Sequence, residues 1–188
     1  ILELPKECSF SDGSEAAVLQ RFEDKVRAAG FVFHERTIHA FHTSLKISDI
    51  SPLVVLAGIS GTGKSQLPRL YAKYVGMHFL SVAVQPRWDA PEDLFGFYNY
   101  REHRYKATEL ARGLRQMDSH YHAELDGDPA ALQSGMLLVL MDEMNLARVE
   151  YYFSELLSKL EMRSRSRVGD EDMHAMSAIQ IQAGSLSE

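Results

Sequence analysis

The residues best suited to chemistry are Gly58-Ile59-Ser60-Gly61-Thr62-Gly63-Lys64-Ser65, spaced G-x-x-x-x-G-K-S. This is the pattern of a loop that cradles a polyphosphate. Glycine at 58, 61 and 63 permits backbone angles that a side chain would forbid, so successive N–H groups can turn inward on phosphate oxygens. Lys64 is then expected to reach the β- and γ-phosphates and Ser65 to offer its hydroxyl to Mg²⁺. Gln66 opens the next helix, whose N-terminus adds its positive end. The expected nucleotide-binding set is therefore Gly58, Ile59, Ser60, Gly61, Thr62, Gly63, Lys64, Ser65 and Gln66.

A second constellation is Asp142-Glu143, which ends the apolar run Met136-Leu137-Leu138-Val139-Leu140-Met141. A carboxylate at the end of a buried strand beside such a loop holds Mg²⁺ through water, the role expected of Asp142. Glu143 is placed to orient or deprotonate the attacking water, making Glu143 and Lys64 the expected catalytic pair. Ser65 and Asp142 are the expected metal contacts. They do not form a high-affinity cage, so Mg²⁺ is expected to arrive with the nucleotide. The eight histidines offer no separate metal site: His39 and His42, and His120 and His122, have no cysteine to complete a ligand set.

These residues must be positioned by flanking elements. Leu53-Val54-Val55-Leu56-Ala57 predicts a buried strand entering the loop. Beyond it, Leu67, Leu70, Tyr71 and Tyr74 recur on one helical face, and Pro68 is tolerated so near a helix start. Upstream, a helix over residues 14–29 is predicted, capped by Ser14 and stopped by Gly30, then a second over 35–46. Downstream, residues 78–84 predict a strand, and strand alternating with helix implies a parallel sheet. Residues 85–100 are unusually aromatic, with Phe97-Tyr98-Asn99-Tyr100 and Arg104-Tyr105-Lys106-Ala107 reading as a hairpin. Its aromatics either cap the core or grip a polymer or partner. Thr108 caps a helix expected to reach about residue 125, and Asp126-Gly127-Asp128-Pro129 is a turn signal. After Glu143, Val149, Tyr152, Phe153, Leu156, Leu157 and Leu160 form one helical stripe. Arg163, Arg165 and Arg167 read as a solvated mixed-charge loop, and 176–183 as a strand.

The 188 residues suggest one domain, and 45% apolar content supports a core. A net charge of −6 argues against a self-sufficient nucleic-acid-binding domain. A single cysteine, Cys8, precludes an internal disulfide and fits a reducing compartment. With no long apolar run and no signal-peptide pattern, a cytoplasmic protein without membrane contact is expected. Ile1 in first place suggests a piece of a longer chain.

Taken together, Gly58 to Ser65, Pro91-Glu92-Asp93-Leu94-Phe95-Gly96 and Asp142-Glu143-Met144-Asn145-Leu146-Ala147-Arg148 resemble the AAA+ triphosphatases. Within them the likeness is to the McrB-like branch, related to the MoxR and dynein-type ATPases. The third motif, D-E-x-N followed by Arg, is the most specific, and the likeness covers about residues 50–162. It implies an α/β fold: a P-loop three-layer sandwich with a mostly parallel sheet, preceded by a helical segment. On that reading residues 1–50 are a helical prefix packing on the core, and 51–188 a partial AAA+ nucleotide-binding domain. No sensor asparagine, later arginine finger, second sensor or C-terminal lid is found, so the N-terminal part of a module is expected. The resemblance implies a ring-forming, commonly hexameric motor, hydrolysing ATP or GTP and powering DNA restriction with a nuclease partner. It places Asn145 and Arg148 near the subunit interface. Three alternatives stay open: a non-hydrolysing nucleotide switch that docks a partner, a MoxR-like remodelling chaperone, and a small-molecule kinase. Asp142-Glu143 suits water activation better than acceptor phosphorylation, which weighs against the last.

Overall fold

The computed structural model describes residues 14–48, 51–117 and 136–161. Cys8, His120, His122, the 126–129 turn, the end of the helix expected to reach residue 125, Arg163 to Arg167 and the 176–183 strand lie outside them. The chain is mixed α/β, with a small parallel sheet and helices. It divides into two compact units, one of residues 1–81 and 116–140, the other of 82–115 and 141–188.

In the first unit α1 (Glu15–Ala28) starts at Ser14, whose carbonyl rather than hydroxyl takes the first turn's bonds. Gly30, at φ 83°, ends it as expected, since left-handed backbone suits glycine. α2 (Glu35–Lys46) is capped by a residue the pattern did not suggest: His34 Nδ1 accepts from the Arg36 N–H at 3.1 Å. α3 (Gln66–Val75) tolerates Pro68 because a first-turn N–H has no intrahelical acceptor anyway. Phe22 and Val26 of α1, Ile38 and Phe41 of α2, and Leu67, Leu70, Tyr71, Ala72 and Val75 of α3 form one buried cluster. Tyr71 is its centre, 3% exposed. Phe22 and Phe41 meet its ring edge to face, at centroid separations of 5.2 and 5.3 Å, a favoured aromatic geometry. Its hydroxyl lies 2.5 Å from His42 Nδ1, while His42 Nε2 lies 2.9 Å from Glu15 Oε1. Lys46 Nζ binds the other Glu15 oxygen. The prefix and the helix behind the glycine loop therefore share one core.

The stretch expected as a buried strand, residues 53–57, has no strand partner among the described residues. Its burial alternates nonetheless: Val54 and Leu56 pack on the cluster while Leu53 and Val55 are exposed. The strand after α3, β1 (His78–Ala83), does form and pairs with β4 (Leu137–Asp142). The pairing is anchored by His78 N–H to the Met136 carbonyl, 2.9 Å, and by Val84 N–H to the Asp142 carbonyl, 3.1 Å. β4 is half-buried along its length, not fully buried as its apolar run suggested.

The second unit holds α4 (Pro91–Phe95), the hairpin β2 (Gly96–Asn99) and β3 (Arg104–Ala107), and α5 (Glu109–Gln116), whose last residue falls in the first unit. Asp93 Oδ2 accepts the N–H groups of Asp89 and Ala90, holding the entry to α4. Thr108 caps α5 as expected, its hydroxyl accepting from Ala111 N–H and donating to the Leu94 carbonyl. The stripe after Glu143 is two short helices, α6 (Val149–Tyr152) and α7 (Ser154–Glu161), broken at Phe153. Tyr152 is wholly buried, with Trp88 edge-on at 5.3 Å, whereas Val149 and Leu157 are exposed. Among the described residues no helix is long and apolar enough to cross a membrane.

Burial first, and then the Glu15 carboxylate, push the Tyr71 phenol up to about 12. The native chain thus holds this proton more tightly than the unfolded chain, and the stabilisation it gives is lost as pH rises from the ordinary tyrosine range toward that value. Difference titration of wild type against Tyr71→Phe is expected to show one phenol ionising in this high range. In urea at neutral pH, Tyr71→Phe is expected to cost ~1–3 kcal/mol, because it leaves buried His42 Nδ1 unpaired. A phenol titrating at its ordinary value would show that the hydroxyl is not confined.

Candidate phosphate loop and acidic strand end

The loop before α3 is bent by Gly61 and Gly63, at φ 82° and 84°. The carbonyl of Gly63 starts α3 by accepting from the N–H groups of Gln66 and Leu67. By contrast, the N–H groups of Gly61, Thr62, Gly63 and Lys64 donate to no acceptor among the described residues. Four adjacent backbone donors at a helix N-terminus are the elements of an anion cradle. Lys64 Nζ donates to the Ile59 carbonyl at 2.6 Å, and Thr62 Oγ1 donates to the same oxygen at 2.9 Å. The ammonium is thereby folded back across the loop, with Gly58 against its stem.

Gly63 is also confined from outside. A Cβ built there would lie 2.7 Å from the ring of Phe33, and Phe31 stacks parallel to Phe33, centroids 6.4 Å apart. Motif matching missed this buttress. Its only sequence signal is the short apolar step Phe31-Val32-Phe33 between two helices.

Asp142 ends β4 half-buried, and its Oδ1 accepts the N–H of Glu143 at 3.1 Å. Glu143 has left-handed backbone, φ 56° and ψ 41°, and an exposed side chain. Such a conformation is uncommon outside glycine and asparagine, and it turns the chain abruptly as the strand ends. The 3₁₀ turn Met144–Leu146 follows, pinned where the Tyr152 hydroxyl donates to the Met144 carbonyl. Asn145 and Arg148 are exposed; Arg148 reaches the Tyr151 hydroxyl at 3.2 Å and lies over its ring. The structure thus groups Gly58 to Gln66 in the first unit, and Asp142, Glu143, Asn145 and Arg148 in the second.

Comparison with protein-family models, with curated proteins and with solved structures finds no match to this chain.

Gly63→Ala is expected to destabilise the chain by ~2–4 kcal/mol, combining left-handed strain with overlap on Phe33. Phe33→Ala in the same background relieves the overlap but not the strain, so a urea double-mutant cycle should show a coupling of about 1 kcal/mol. Additive losses would show that Phe33 does not confine this glycine.

Proposed function

We propose that the chain is a nucleoside triphosphatase of the AAA+ class, McrB-like branch, hydrolysing ATP or GTP. The observation that carries this reading is the set of four unclaimed N–H groups from Gly61 to Lys64, bent by left-handed glycines at the start of α3. A polyphosphate satisfies those donors together, and Lys64 exchanges the Ile59 carbonyl for the terminal phosphates. The proposed fold is a P-loop sandwich with the sheet at its centre, and the parallel β1–β4 pair supports it.

Ser65 and Asp142 supply hard oxygen donors, which suit Mg²⁺ better than a softer metal. These two residues would hold the ion with the nucleotide, where it would supply neutralisation of phosphate charge. Glu143 takes a proton from the attacking water. The water oxygen bonds to the terminal phosphorus as the bridge to the leaving diphosphate breaks, giving diphosphate and inorganic phosphate. The reading extends to a ring, hexameric in the complete protein, with Asn145 and Arg148 at its interfaces, and to a nuclease partner and DNA as client.

Lys64→Ala is expected to abolish binding of a fluorescent ATP or GTP analogue. Glu143→Gln is expected to keep that binding while phosphate release falls about 10²–10⁴-fold. Release unchanged in Glu143→Gln removes this residue from the chemistry. Binding with no release from the parent chain favours the nucleotide switch over the motor.

A further inference from the structure

The hairpin β2–β3 has two unlike faces. Its register pairs Gly96 with Ala107, Phe97 with Lys106, Tyr98 with Tyr105 and Asn99 with Arg104. Alternation therefore puts Tyr98 and Tyr105 on one face, half-buried, and Phe97, Lys106 and Arg104 on the other, exposed. Phe97 is 51% exposed and Tyr100, at the tip, 81%.

Such exposure is not a sign of looseness. Asn99 Oδ1 accepts the N–H groups of Arg101 and Glu102, and its Nδ2 donates to Glu102 Oε1. Glu102 in turn binds Arg104 at 2.7 Å and Lys106 at 2.8 Å. At the base, a Cβ on Gly96 would come 2.1 Å from the Lys106 carbonyl, so only glycine lets the strands close here. The Tyr100 ring is steadied edge-on by Tyr98, centroids 5.0 Å apart at 76°. The turn's hydrogen bonds thus fix the backbone that carries an exposed aromatic ring.

Charge on the hairpin is opposite to that of the chain. Arg101, Arg104 and Lys106 face the single carboxylate of Glu102, within a protein of net charge −6. That carboxylate is spent on Arg104 and Lys106, while the Arg101 guanidinium meets no acceptor among the described residues. Cations alone fit any polyanion. Cations on the same hairpin as exposed rings fit one whose units carry flat faces, because bases stack on aromatic side chains without regard to sequence.

We infer that the hairpin β2–β3 is a contact surface for single-stranded nucleic acid, with Tyr100 stacking on a base and Arg101 on a neighbouring phosphate. The inference rests on the nucleic-acid arm of the proposed function, not on the nucleotide chemistry. The negative remainder of the chain repels a polyanion, which limits contact to this element, and the salt dependence is set by the few cations that meet phosphates.

The test titrates the full chain into a 5′-fluorescein oligothymidylate of about twelve nucleotides at low salt, reading anisotropy. Saturable binding is expected, and Tyr100→Ala is expected to weaken it about 5- to 100-fold, the loss of one base stack. Arg101→Gln should reduce the slope of log affinity against log salt by about 0.7, one phosphate contact on a single strand. Both positions are exposed, and matched far-ultraviolet circular dichroism checks the fold. Absence of saturable binding, or variants indistinguishable from wild type, overturns the inference. So does tighter binding of a duplex of the same length, or displacement by oligoglutamate with Tyr100→Ala silent, which would assign the surface to an acidic protein. Lys64→Ala separates the two proposals: it should lose nucleotide and keep oligonucleotide. Oligonucleotide binding in a parent chain that ignores ATP and GTP leaves the hairpin reading standing while the triphosphatase reading fails.

Discussion

The contact on which the first unit depends is the enclosure of Tyr71 by α1 and α2. A helix of ten residues is too short to hold itself together in water, and α3 gains its order from the face it buries. That face is closed by Phe22, Val26, Ile38 and Phe41, all contributed by the prefix. The glycine loop hangs from the N-terminus of α3, so its geometry inherits whatever fixes this helix. Phe33 adds a second constraint from the same prefix, directly on Gly63. The helices upstream of the loop are thus part of the device that shapes it.

The bends of the glycine loop were legible because their residue types are dictated at fixed spacing. Glycine at 61 and 63 answers to left-handed backbone, and each lies where the pattern placed it. Helix boundaries were read well where punctuation is strong, as at Gly30 and Thr108. Punctuation failed where a less usual residue did the work: His34 caps α2 with a ring nitrogen, a role normally taken by serine, threonine, aspartate or asparagine. Burial of strands was the least legible feature. Leu53 to Ala57 and Leu137 to Met141 read equally apolar, yet the first stands unpaired among the described residues and the second is half-buried. An apolar run records what a segment can bury, whereas the neighbours it finds depend on distant sequence.

The aromatic stretch shows how two readings of one segment can divide by position. Phe95 is core, Trp88 and Tyr105 are half-buried, and Phe97 and Tyr100 face water. Composition could not separate these; the two-residue period of the hairpin does so once its register is known. Likewise, the stripe after Glu143 was read as one helix, but the break at Phe153 leaves Tyr152 and Phe153 buried and turns Leu157 outward.

The chain of contacts from Lys46 through Glu15 and His42 to Tyr71 has a wet end and a dry end. The Glu15 carboxylate, held below its usual range first by Lys46 and then by His42, sits in solvent at the opening of α1. The phenol at the other end is sealed among aromatic rings. Salt and acid therefore reach the link at the opening of α1 directly, while the phenol is shielded from both.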